Sequence, residues 1–209
     1  SRRMPKVDGT GVAFDGTSGI ERMSTAAWIL LSVLILASPS LAVAQDLQKF
    51  AEGRQIMMIR HAEAPGNGDP AGFQIDDCST QRNLSAAGRA QAERLGFYIR
   101  SQGVEDAVVL SSQWCRCLDT AELLDIGTVD DFTGLNSFYT MPEREAEWLA
   151  ELREHITLLG RRTDEPVIMV THAVTISAIA GVSVGSGEAV LLDLNGTAEP
   201  TFAERLIVR

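Results

Sequence analysis

The sequence holds three histidines, His61, His155 and His172, and two of them close apolar runs. His61 follows "QIMMIR" and His172 follows "PVIMVT", so each reads as the residue just past a buried strand. Arg60 stands beside His61. A third run, "AVVLSS" at 107–112, ends in Ser111 and Ser112, with Arg116 one helical turn further on. Two imidazoles, two guanidiniums and hydroxyls are a set suited to phosphoryl transfer. Neutral imidazole can attack phosphorus in line and give a phosphohistidine that water later hydrolyses. Arginine matches the equatorial oxygens bidentately and stabilises the charge on them. Two arginines on separate elements would hold the group aligned for attack, and a second imidazole can hydrogen-bond a phosphoryl oxygen. That set needs neither a metal nor a cofactor.

These residues meet only if the strands carrying them lie side by side. Residues 55–59, 107–112 and 166–172 are near-continuous apolar runs, and 129–135, "EAVLLDL" and "FAERLIVR" add further strands. Between them lie helical patterns. Ser85 can cap a helix with Gly88, Ala92, Leu95 and Ile99 on one face, closing at Gly103. Residues 115–124 and 174–180 read as helices, the second ended by Gly181. Pro142 can open another, with Glu143, Glu145 and Glu147 in its first turns and Trp148, Leu152, Ile156 and Leu159 as its stripe. His155 lies beside that stripe and reads as packing or solvated. Strand and helix alternate, and the strands are apolar throughout. Together these predict an α/β fold of three layers, α/β/α, with a mostly parallel central sheet and helices on both faces. Such sheets bind ligands beyond the carboxyl ends of their strands, where His61, Ser112 and His172 fall. Residues 62–83 are rich in Gly, Pro, Asp and Asn and read as a long functional loop.

The start of the chain differs from the rest. A basic and polar stretch leads to "AAWILLSVLILA" at 26–37 and then Ala42-Val43-Ala44. This pattern is that of a secretory signal peptide, cleaved after Ala44. The apolar core is short against the roughly 20 residues that span a bilayer, so an uncleaved anchor is the alternative. The expected division is 1–44 as extension and signal, and 45–209 as one domain, periplasmic or secreted. Residues 45–209 carry 14 basic and 25 acidic side chains, a net charge of −11. Such a surface disfavours nucleic acid and anionic membranes, and a bound anion must be drawn by a local cluster of positive charge. Cys78, Cys115 and Cys117 lack zinc-site spacing. In an oxidising compartment Cys78 could pair with Cys115 or Cys117; three buried thiols are the other reading.

The blocks in order resemble the histidine phosphatase superfamily, also called phosphoglycerate mutase-like. Arg60-His61-Ala62-Glu63 matches its Arg-His-Gly signature, "LSAAGRAQA" at 84–92 its following helix, "SSQWCRCLDTA" at 111–121 its Ser-Ser, Arg and Thr-Ala block, and "VTHAVTISAIAG" at 170–181 its second histidine. The resemblance implies that His61 is the phosphate-accepting nucleophile. Arg60, Arg116 and His172 would form the phosphate pocket, and Ser111 would stand with the substrate-binding groups, shaping the turn together with Ser112.

Departures narrow the reading. Ala62 stands where glycine is commoner. Ala173 follows His172, where phytase-like members carry an aspartate acid. Leu135-Asn136-Ser137 matches the Leu-x-Glu of mutase-like members, so Ser137 occupies the place of their acid. Glu143 is the expected substitute, with Glu145 or no acid as the alternatives. The resulting expectation is an exported, metal-independent phosphatase hydrolysing a phosphomonoester through phosphohistidine. Its substrate would be a small phosphorylated molecule or a phosphorylated envelope component, since "DDCS" and the signal also resemble envelope phosphatases acting on lipopolysaccharide core sugars. Two alternatives stand beside it: a phosphohistidine-protein phosphatase, and an inactive module of the same fold that binds phosphorylated ligands.

Overall fold

The computed structural model describes residues 47–162 and 164–208. The expected signal peptide and upstream extension lie outside those residues. A short helix, α1 (Gln48–Ala51), buries Phe50 against the first strand, β1 (Gln55–Arg60). Then follow α2 (Ala86–Ser101), β2 (Val108–Ser111), α3 (Cys115–Leu124), β3 (Val129–Asp131), α4 (Glu145–Arg162), β4 (Val167–Thr171), α5 (Ala173–Ala180), β5 (Ala189–Asp193) and β6 (Thr201–Leu206).

The six strands form one sheet in the order β3-β2-β4-β1-β5-β6. The first four of that order run parallel; β5 is antiparallel to β1, and β6 to β5. Alternation within each strand sends its side chains to opposite faces. Met57, Ile59, Ile168 and Val170 pack with α1, α2 and α3. Ile56, Met58, Val167 and Met169 pack with α4 and α5. Both faces are therefore covered, which is why β1 and β4 read as unbroken apolar runs. Leu152 and Ile156 of α4 are fully buried, and each such side chain contributes about 1.5–3 kcal/mol.

The local signals mostly held. Ser85 caps α2, its hydroxyl accepting from the Gly88 N–H at 2.9 Å. Gly103 follows the helix end at a φ of 88°. The strand expected within 129–135 is shorter: β3 stops at Asp131, and Thr133–Leu135 turn into a 3-10 helix. Pro142 opens a 3-10 turn, Pro142–Arg144, that runs into α4. Gly88 is required by packing, since a Cβ there would lie 2.1 Å from the Glu63 carbonyl oxygen. That contact brings α2 up against the residues just after His61. Among the described residues no helix is long and apolar enough to cross a membrane.

Candidate active site

The register of the sheet brings the two histidines together. Arg60 pairs with Thr171, so the next residues, His61 and His172, leave adjacent strands at the same level. The His61 N–H donates to the Thr171 carbonyl at 2.9 Å, and the rings meet edge to face with centroids 5.5 Å apart. Both rings are buried, at 2% and 4% exposure, yet both line one cavity of about 220 Å³.

His61 is arranged as a nucleophile. Its Nδ1 lies 2.8 Å from the Ala62 carbonyl oxygen, which can only accept, so Nδ1 carries the proton. Nε2 is left with a lone pair. Burial lowers the pKa to about 3, against the Ala62 hydrogen bond and with help from Arg116, Arg60 and Arg82, so the ring stays neutral and nucleophilic. The backbone around it is pinned: the Ala62 N–H donates to Thr120 Oγ1 at 3.0 Å, and that hydroxyl donates to the Arg116 carbonyl at 2.6 Å.

Three guanidiniums line the same cavity. Arg60, from the end of β1, donates to the Val184 carbonyl at 2.9 Å. Arg116, from the first turn of α3, forks onto Asp69: Nη1 to Oδ1 at 2.7 Å and Nη2 to Oδ2 at 3.2 Å. Arg82 comes from the long loop and holds the loop to itself through the Gly68 and Ala64 carbonyls. Burial lowers the pKa of Arg60 and of Arg82, with the neighbouring Arg116 charge adding to it. Asp69 also accepts from the Arg82 N–H at 3.1 Å and from Trp114 Nε1 at 3.0 Å. Burial works against its charge, but these donors prevail and hold the carboxyl below its ordinary range. The opening turn of α5 completes the wall with Ala173 and Val174, placing a helix N-terminus at an anion site.

The loop is tied to the site covalently. Cys78 is bonded to Cys115, one residue before Arg116, and Cys117 is a free, buried thiol. This decides between the pairings left open by the sequence. Gln81 adds a second tie, accepting from the Cys115 N–H at 3.0 Å and donating to the Gln74 and Ile75 carbonyls.

The structure brings Arg60, His61, Arg116 and His172 into one pocket, and it leaves two expected residues out. Ser111 is fully buried and donates to the Ser112 carbonyl at 2.8 Å. Its neighbour Ser112, also buried, instead meets His172 Nε2 at 2.9 Å. Glu143 sits in the 3-10 turn before α4 and lines a neighbouring depression with Trp114, Met141 and Trp148, not the His61 cavity. Ser137 does line that cavity. Asp69 and Arg82 were missed. "QRNLS" placed a lone arginine just before the helix block, a faint signal, and Asp69 had none within a Gly-rich loop. Among the described residues no group of three or more His, Cys, Asp or Glu side chains is clustered to hold a metal ion.

Comparison with known proteins meets this geometry. Residues 56–132, which carry Arg60, His61, Arg82 and Arg116, match the histidine phosphatase superfamily (branch 1). The expected phosphoric monoester hydrolase agrees with that match. His172 lies beyond the matched stretch and joins the site through β4. No curated protein matches the sequence closely enough to serve as a relative. Solved structures share the fold at low identity. The protein histidine phosphatase SixA with tungstate has a TM-score of 0.56 at 16% identity, over 73% of this chain and 96% of that one. A mycobacterial glucosyl-3-phosphoglycerate phosphatase with VO3 gives 0.53 at 16%, over 75% and 99%. A phosphoserine phosphatase of Entamoeba histolytica with 3-phosphoglyceric acid gives 0.52 at 15%, over 74% and 98%.

Proposed function

We propose that this protein is an exported, metal-independent phosphatase that hydrolyses a phosphomonoester through a phosphohistidine at His61. The observation that carries the reading is the tautomer of His61: Nδ1 is bound to the Ala62 carbonyl, and Nε2 is free beside three guanidiniums. In the first step Nε2 attacks phosphorus and the bond to the leaving oxygen breaks. In the second, water attacks the phosphohistidine and releases phosphate. Arg60 and Arg116 stabilise the equatorial oxygens, and a single such donor is commonly worth about 10²–10³ in rate, while Arg82 adds charge that holds the bound anion. Charge stabilisation of this kind asks nothing of a metal. Export is supported by the Cys78–Cys115 bridge, which suits an oxidising compartment, and by the leader-like stretch at 1–44. Polyanionic partners, nucleic acid above all, are disfavoured by the acidic surface. A small phosphorylated molecule or a phosphorylated envelope component fits the pocket's size and charge.

The leaving group receives little help. Ser137 stands where a glutamate acid is expected, and Asp69 is locked onto Arg116. This favours a second reading, a phosphohistidine-protein phosphatase, whose substrate leaves without a strong acid. Hydrolysis of an aryl phosphate in metal-free buffer, with formation of an acid-labile phosphoprotein, tests the first reading. His61→Ala is expected to lose both by at least about 10³-fold. Wild-type turnover no higher than that of the variant points to an inactive phosphate-binding module instead. A large preference for a phosphohistidine peptide over aryl and alkyl phosphates selects the second reading.

A further inference from the structure

The proton on His172 can be located from its neighbours. The Asp131 carboxylate accepts from Gln113 Nε2 at 2.8 Å, which turns Gln113 Oε1 toward Asn136. Asn136 Nδ2 donates to that oxygen at 2.9 Å. Asn136 Oδ1 therefore faces the Gln113 backbone N–H at 2.9 Å and Ser112 Oγ at 3.1 Å. An amide oxygen only accepts, so the Ser112 hydroxyl proton points to Asn136. Ser112 Oγ then turns a lone pair to His172 Nε2, 2.9 Å away. The other neighbour of Nε2 is Cys117 Sγ at 3.4 Å, whose own proton goes to the Thr171 carbonyl at 3.6 Å. Both neighbours of Nε2 are acceptors. Nε2 must hold the ring proton, and Nδ1 is the nitrogen left bare for the cavity that His172 lines.

We propose that Gln113, Asn136 and Ser112 are positioning residues that fix His172 as its Nε2–H tautomer. The pocket consequently takes a phosphoryl group together with one proton, held between His172 Nδ1 and a phosphoryl oxygen. The inference rests on the phosphoryl-pocket reading given above. A bare Nδ1 facing a fully ionised phosphoryl oxygen would set acceptor against acceptor. The proton is shared as P–OH···N or P–O⁻···H–N⁺, which are the same atoms and the same total charge. None of the charged groups lining the cavity supplies it. From β1, His61 has committed its proton to Ala62 and Arg60 is a guanidinium that does not release one. From the loop, Arg82 is another guanidinium, and Asp69 is held ionised by its donors. From α3, Arg116 is a third guanidinium, and burial pushes the Cys117 thiol up to about 12. Burial first, then His61 and the three arginines, keeps His172 neutral in the empty pocket. The proton must enter with the ligand.

Calorimetric titration of the full chain with inorganic phosphate, in buffers of different ionisation enthalpy, tests this. Above the second pKa of phosphate, the wild type is expected to take up about one proton per ligand, its affinity falling about tenfold per pH unit. Ser112→Ala frees Nε2 to lose its proton, so uptake falls toward zero and the pH slope flattens. A wild type that binds phosphate without proton uptake, or a Ser112→Ala protein with unchanged uptake, overturns the relay. Should that variant not fold, the wild type alone still decides. Long-range 15N–1H correlation is expected to show His172 protonated at Nε2, and an Nδ1–H tautomer refutes the assignment. Absence of phosphate binding altogether overturns the pocket reading on which the inference rests.

Discussion

The two walls of the pocket are built by different means. One wall consists of strand ends: Arg60-His61 and Thr171-His172 are set by a parallel ladder in which Ile56 pairs Val167 and each residue follows in step. The other is a loop, residues 62–83, that contributes Asp69 and Arg82 and has little regular structure beyond the 3-10 turn Cys78–Thr80. The ladder fixes the histidines through buried backbone bonds that a single side-chain change cannot undo. The loop depends on three ties, namely the disulfide, the Asp69–Arg116 pair and Gln81. The nucleophile is thus placed on the rigid wall, and Arg82 and the Asp69 that orients Arg116 on the adjustable one. The expected division of labour is that strand-end residues govern the reaction and loop residues govern binding.

Arg116 is where the walls meet, and among the variants that test their division it should give the largest effect. It springs from α3 but points its fork at the loop's Asp69, with both side chains nine-tenths or more buried. Arg116→Ala removes a transition-state charge and leaves Asp69 buried without its main partner, which is costly in itself. A fall in kcat/KM of about 10²–10³ is expected, with sharply weaker vanadate binding. Arg82→Ala, on the loop alone, should raise KM while leaving kcat near wild type. Equal losses of kcat in both variants would erase the distinction between the walls.

How much of this was legible in the sequence follows the same division. The strand ends were readable because a buried parallel strand is an unbroken apolar run and its terminus is marked by the first polar residue. "QIMMIRH" and "PVIMVTH" therefore gave Arg60, His61 and His172 directly, and the ordered blocks added Arg116. The loop was not readable. Asp69 sits between Gly68 and Pro70, where no periodicity points it anywhere, and its role depends on where Cys78 is anchored. Ser111 and Glu143 fall outside the cavity for a related reason: adjacency in sequence does not say which way a side chain turns at a strand end or before a helix. Two of the pairings open at the start, Cys78 with Cys115 or with Cys117, differ by a half-turn of helix, and only the packing of Cys117 under Thr171 separates them.

Removing the disulfide isolates the adjustable wall. Cys78 and Cys115 are 37 residues apart, and a closure of that size contributes about 2–4 kcal/mol. The Cys78→Ser, Cys115→Ser double variant should lose that much in denaturant unfolding. Its Arg82 and Asp69 lose their covalent anchor, so KM should rise while the acid-labile phosphoprotein still forms. Loss of phosphoprotein formation in a folded double variant would mean that the loop also sets the geometry of His61.

The smallest expected effect tests the rigid wall through its charge. His61 is held near a pKa of about 3 by burial, and His172 is lowered too, whereas in the unfolded chain both return to about 6.5. Between those values the unfolded chain binds more protons than the folded one. Stability is therefore fully present above pH 6.5 and falls as the pH drops toward 3. At pH 5 the His61 contribution alone corresponds to a loss of about 2 kcal/mol relative to pH 7. Urea unfolding at pH 7 and pH 5 measures it, with His61→Gln as the control that removes the titrating ring while keeping a polar side chain. The variant should be less sensitive to that pH step by about the same 2 kcal/mol. A variant as acid-sensitive as the wild type would mean that His61 is solvated in the folded state. The strand-end wall would then be no more enclosed than the loop that faces it.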